Sequence, residues 1–134
     1  MSHDDGGEEL SSELTLGARG EVPLEVGESD TAIAHASGDV PVLATPRLVA
    51  LCEEATVLAI AGCFDPSLTS VGTHVEIDHL AASRVGESVT ARAELVEVEG
   101  RRLNFEVAVV DAAGELVARS RIRRAVVDRT RFLG

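Results

Sequence analysis

The apolar residues of this chain fall into one near-continuous block followed by several alternating stretches. The block runs through Leu48, Val49, Leu51, Cys52, Ala55, Val57, Leu58, Ile60 and Ala61. Before it, Thr45 can cap a helix N-terminus with its hydroxyl and Pro46 suits the first helical position; after it, Gly62 is a natural stop. The spacing predicts a helix over 45–62, apolar almost all round, which calls for protein on most of its sides. Glu53 and Glu54 interrupt it at the middle. A carboxylate there loses solvation unless it is paired, hydrogen-bonded or protonated, so one of the two needs a reason.

Around that helix the pattern changes to a period of two. Glu21–Val26 reads as a short first strand, with Pro23 favouring an edge. Residues 27–43 mix turn formers with small apolar residues and read as an ordered loop or lid; 64–69 is a turn and loop. In Ser70–His79, alternation puts Val71, Thr73, Val75, Ile77 and His79 on one face and Gly72, His74, Glu76 and Asp78 on the other. Ser88–Val98 and Arg102–Asp111 flank the hairpin signal Glu99-Gly100-Arg101, and Asp111–Gly114 turns into a last strand over 115–128. One strand, one long helix and an antiparallel meander of four strands make an α+β domain over 19–134. Residues 1–18 read as an acidic flexible tail.

Composition narrows the class. The formal charge of −11 argues against a nucleic-acid partner, since phosphates would be repelled at long range. No apolar run reaches the roughly 18 residues of a membrane span, and the acidic start is wrong for a signal peptide. Cys52 and Cys63 lack ligand-like spacing and read as structural thiols of a reducing, cytoplasmic setting, with no metal implied. All twelve basic residues are arginine, six of them from Arg119 onward. These suit either a solvated strand face or a local site for an anionic ligand.

Several short segments, in order, carry a family likeness. They are Ala44-Thr45 followed by Glu53, Leu68–Thr73 leading into His79–Ser83, Val98–Leu103, and Arg124–Val127. In these the chain resembles the fluoroacetyl-CoA thioesterase family of hot-dog proteins, from about Gly20 to Phe132. The resemblance implies a hot-dog fold, an antiparallel sheet wrapped around one long central helix. It implies hydrolysis of a small acyl-CoA thioester by a homodimer, with no cofactor beyond the coenzyme A of the substrate. By family position, Thr45, Glu53 and His79 are the catalytic set, and Gly72 and Arg124 are substrate-binding. Two positions depart from the family's founding enzyme. Its aromatic gate residue, six positions before the Thr, is Asp39 here, and its His-Glu pair before the terminal Arg-Ala-Val is Ile122-Arg123. The first departure speaks against fluoroacetyl specificity.

The residue chemistry is compatible with that implication. Thioester hydrolysis needs an activated oxygen nucleophile, a proton shuttle and donors for the developing oxyanion. A helix N-terminus supplies unpaired N–H groups, and a histidine shuttles protons near neutral pH. Each residue also has a plainer reading: Thr45 as a cap, His79 as a satisfied core residue, Glu53 as an ion-pair partner, Gly72 as a bulge. The alternative function is a non-catalytic hot-dog module that binds an acyl-CoA or small acid. Hot-dog hydratases use an Asp–His pair near the helix start, and none occurs around Thr45. Convergence of Thr45, Glu53 and His79 on one pocket separates the first two readings. Eight helical residues span about 12 Å. Thr45 therefore either sits on a loop folded back over the helix or meets the Glu53 of a partner subunit.

Overall fold

A computed structural model describes residues 14–134. Strand β1 (Arg19–Glu25) leads through a one-turn 3-10 helix (Glu28–Asp30) and a loop into the long helix α1 (Thr45–Ala59). Strands β2 (Leu68–His79), β3 (Ser88–Glu99), β4 (Arg102–Asp111) and β5 (Leu116–Asp128) follow, then the short helix α2 (Arg129–Leu133). The strands form one antiparallel sheet in the order β1-β3-β4-β5-β2, and α1 touches all five. The α+β arrangement of a sheet around one helix is the one expected.

The four-strand meander is corrected. Only β3, β4 and β5 follow one another through tight turns, at Gly100 (φ 59°) and Gly114 (φ 82°). β2 pairs with β5 at one edge of the sheet, while β1 pairs with β3 at the other. The physical reason lies in the link between β2 and β3. Segment 80–87 is longer than the roughly two to five residues of a hairpin loop, so nothing local forces those strands together.

The core forms where α1 lies on the sheet. Leu48, Leu51, Cys52 and Ala55 pack with Val89, Ala91, Val107 and Val109, and a second cluster joins Ala59 and Ile60 to Leu95, Leu103 and Phe105. Gly20 sets how closely β1 approaches the helix. A Cβ there would stand 2.6 Å from the Ala59 amide nitrogen and would also strike the Ala55 carbonyl. Small residues on both elements allow this contact. On the opposite side of α1, Val57 and Leu58 remain about half exposed, at 47% and 50%. Among the described residues, the covering that its apolar surface calls for is therefore incomplete.

Two details of the reading change. Residues 1–13 lie outside the description, but 14–18, expected in the tail, are tied down. Gly17 N–H donates to Leu95 O at 2.8 Å, Leu95 N–H donates to Ala18 O at 2.9 Å, and Leu14 packs on the second cluster. The period-two reading of β2 is also overturned. A bulge between Gly72 and His74 inserts Thr73 as an extra residue and shifts the alternation. Val75, Ile77 and His79 face the helix as expected, but Leu68, Ser70 and Gly72 join them there, while Val71 and Thr73 do not.

Candidate active site

Thr45 is the first residue of α1, and Ala44 holds the cap position without a side-chain bond. With helical backbone angles at that position, the Thr45 hydroxyl is one residue too late to cap the following amides. It lies instead 2.8 Å from His79 Nδ1 at the end of β2. The cap reading is thereby replaced by a side-chain pair. Asp30 fixes the approach to this point. Its carboxylate accepts from the Gly27 amide and from Arg47 Nε, both at 2.8 Å, which ties the preceding loop to the first turn of α1. These bonds hold the Asp30 carboxyl below its usual range.

His79 is half-buried and faces inward, across from Ala118 of β5. Burial pushes its pKa below the usual 6.5, with the Ala81 backbone opposing, so the ring is a neutral base at pH 7. Its second nitrogen, Nε2, is buried and has no hydrogen-bond partner among the described residues. The pair opens onto a cavity of about 310 Å3, walled by Ala32, Ser37, Gly38, Val40, Val42, Leu43, Leu80, Ala81 and Ala82. None of those wall residues is charged.

A second group forms about two turns further along α1. Glu53 faces β2 at the bulge, where a Cβ on Gly72 would stand 2.5 Å from Glu53 Oε2. Glycine there leaves the carboxylate its place. Arg124, the register partner of Gly72 on β5, is only 7% exposed. Its Nε donates to Ser70 Oγ at 2.8 Å and its Nη2 to the Ser70 carbonyl at 3.1 Å. Its Nη1 stands 3.9 Å from Glu53 Oε2. Burial lowers the Arg124 pKa and the Glu53 charge opposes it; a guanidinium stays charged in either case.

The five residues nominated from the sequence thus fall into two groups, Thr45 with His79 and Glu53 with Gly72 and Arg124. Thr45 does not lie on a loop folded back over the helix. It starts the same helix that carries Glu53, about 12 Å away along the axis. Along β2, Gly72 and His79 are separated by roughly 20 Å of strand. Within one chain the three catalytic candidates do not meet.

Other candidates prove plainer. The Cys52 thiol is pushed up to about 12 by burial, with Glu53 adding to the effect, and is inert as a nucleophile. Arg119 and Arg121 point to the other face of the sheet, in register with Asp78 and Glu76 of β2. They line a groove of about 740 Å3 in which charges of both signs alternate, including an Arg92–Glu21 pair at 3.3 Å. Among the described residues no group of three or more His, Cys, Asp or Glu could hold a metal ion. No helix there is long and apolar enough to cross a membrane.

A family model described as FlK, fluoroacetyl-CoA-specific thioesterase, matches residues 26–130. The chain belongs to this family. The fluoroacetyl-CoA thioesterase of Streptantibioticus cattleyicolor is 40% identical over 91 residues, which make up 68% of this chain but 65% of that protein. A solved structure of a mutant of the fluoroacetyl-CoA-specific thioesterase FlK superposes with a TM-score of 0.83 at 30% identity, covering 91% of this chain and 94% of that one. A mutant of FlK in complex with fluoroacetate and CoA gives a TM-score of 0.81 at 32% identity, covering 89% and 99%. The fold is therefore the hot-dog of this thioesterase family.

Sequence reasoning missed Ser70. Simple alternation puts it with the outward residues of β2, and the bulge that turns it inward has only Gly72 as its sequence signal. A glycine next to β-branched Thr73 in a strand was the available hint.

Proposed function

We propose that the protein hydrolyses a small, uncharged acyl-CoA thioester to the free acid and CoA, as a homodimer whose sites join groups from both chains. The observation that carries this reading is the Thr45–His79 pair, a hydroxyl held 2.8 Å from a neutral imidazole at the start of α1. Hydroxyl, base and helix N-terminus lie together, as acyl transfer requires. Thr45 Oγ1 adds to the thioester carbon while its proton passes to His79 Nδ1. The N-terminal end of α1 favours the oxyanion. The C–S bond then breaks and the imidazolium returns its proton to the CoA sulfur. A water deprotonated by the same ring hydrolyses the acyl-Thr45, and the products are the carboxylic acid and CoA.

Glu53 enters this scheme from the partner. Its carboxylate is the acidic group brought beside the Thr45–His79 pair, where its charge stabilises the protonated ring, as in other hydroxyl–imidazole–carboxylate sets. Two features support the dimer: the open edge of β2 and the half-exposed Val57, one turn beyond Glu53. The uncharged cavity walls favour a small apolar acyl group, and no cofactor enters the chemistry as written. The buried Cys52 thiol suits a reducing cytoplasm.

One observation favours the alternative of a non-catalytic acyl-CoA binding module, namely that Glu53 stands apart from Thr45 and His79 in a single chain. Thiol release from a panel of acyl-CoA esters decides between them. Hydrolysis should fall about 10²–10⁴-fold in Thr45→Ala and in His79→Ala, with the fold retained. Acyl-CoA binding without turnover by the wild-type protein would establish the alternative.

A further inference from the structure

We infer that Ser70 is a positioning residue for catalysis, holding one edge of the Arg124 guanidinium by two hydrogen bonds so that its remaining arm fixes the place of the Glu53 carboxylate. The inference rests on the proposed role of Glu53 and gives a role to a residue to which neither the family likeness nor the sequence pattern assigned one.

A guanidinium is a planar fork, and two donors on one edge define its orientation completely. Ser70 receives both, Nε at its hydroxyl oxygen and Nη2 at its carbonyl oxygen. The remaining arm, Nη1, then points to Glu53 Oε2 at 3.9 Å. This is too long for a hydrogen bond, so it leaves the carboxylate poised beside the charge with its lone pairs uncommitted. Gly72 closes the arrangement from the strand side. The carboxylate is thus bounded by a fixed cation and by a backbone without a side chain.

The bulge makes this possible. Ser70 and Gly72 face α1 only because Thr73 is an extra residue in β2. Arg124 is more buried than any other arginine of the described residues, and its burial is tolerable because Ser70 satisfies two of its nitrogens. The hydroxyl is the replaceable half of that clamp, since every residue type at 70 would keep the carbonyl.

Steady-state kinetics on the best acyl-CoA ester, well below the unfolding temperature, test the inference in a four-member cycle. Misplacing a catalytic group slightly costs about 10- to 100-fold. Ser70→Ala should therefore lower kcat by that factor with KM near wild type, and Ser70→Thr, which restores the hydroxyl, should recover most of it. In a Glu53→Gln background, Ser70→Ala should change kcat by less than about twofold, because the group it positions is already gone. Arg124→Lys keeps a positive charge but not the fork. It should repeat both results and stands in for Ser70→Ala should that variant not fold. Wild-type kcat in Ser70→Ala, or an equal loss with and without Glu53, would overturn the inference. A wild-type rate in Glu53→Gln alone would instead remove the catalytic reading of Glu53, and this inference with it.

Discussion

Mixing two inactive variants is the sharpest test of how the site is assembled. Thr45→Ala removes the nucleophile candidate, and Glu53→Gln removes the carboxylate while keeping its shape. Each should lower activity about 10²–10⁴-fold. The structure supplies the reason to expect rescue. Thr45 touches His79 at 2.8 Å, whereas Glu53 sits about 12 Å further along the same rigid helix. No side-chain rotation closes that gap within a chain. If each site takes Thr45 and His79 from one chain and Glu53 from the other, a mixed dimer holds one intact site and one doubly altered site. Random exchange of equal amounts gives about half mixed dimers, hence about a quarter of wild-type activity, an increase of at least tenfold over either parent. The assay is thiol release after reversible dissociation, with exchange followed by native mass spectrometry on differently tagged chains. Confirmed exchange without recovery would refute the shared site, as would a protein that is active as a monomer.

Other expectations follow from particular contacts. Gly20→Ala should destabilise the fold by about 3 kcal/mol, lowering Tm by roughly 10 °C, because the added methyl meets helix backbone that cannot yield; thermal unfolding checks it. In Glu53→Gln, where no carboxylate offsets the burial of His79, the neutral ring persists below pH 6.5, so the residual kcat/KM should fall with a midpoint beneath that pH. Stability follows the same sign. The unfolded chain takes up a proton at pH 6.5 before the folded chain does, so His79 disfavours the folded state as pH falls from 6.5 through its lowered value, which a Tm series across that range would show. For substrates, isobutyryl-CoA should exceed succinyl-CoA at least tenfold in kcat/KM, since the cavity walls offer no cation to a second carboxylate. Fluoroacetyl-CoA should show no thousandfold advantage over acetyl-CoA, given exposed Asp39 at the family's aromatic gate position.

Much of this was legible in the chain because it rests on local signals. The helix from Thr45 announced itself by its apolar run, and the turns at Gly100 and Gly114 by the residues that tolerate positive φ. What the sequence hid was non-local. Nothing near β2 says that its partner is β5, because that choice is made by closing the sheet round α1. The Thr45 hydroxyl looked like a cap because Thr-Pro pairs usually are one, and only the arrival of His79 from 34 positions later gives it another use. The exposed Val57 and Leu58 are the reverse case. The sequence called for cover around the whole helix, and the described residues do not provide it.

The bulge in β2 ties these points together. A regular strand presents one face, and over Leu68–His79 that face could have held either Ser70 and Gly72 or Val75, Ile77 and His79, but not both sets. One inserted residue, Thr73, lets a single strand show both sets to the helix. α1 runs antiparallel to it, so its start meets His79 and its middle meets Gly72. The same geometry that brings both groups of candidate residues to one face also sets them about two helical turns apart within a chain. A twofold axis beside the open edge of β2 is the simplest operation that reunites them, since it sets the middle of one helix against the start of its copy. Under the proposed function, the bulge, the edge position of β2 and the exposed Val57 and Leu58 of α1 would be three parts of one device, and the site would be complete only in a dimer.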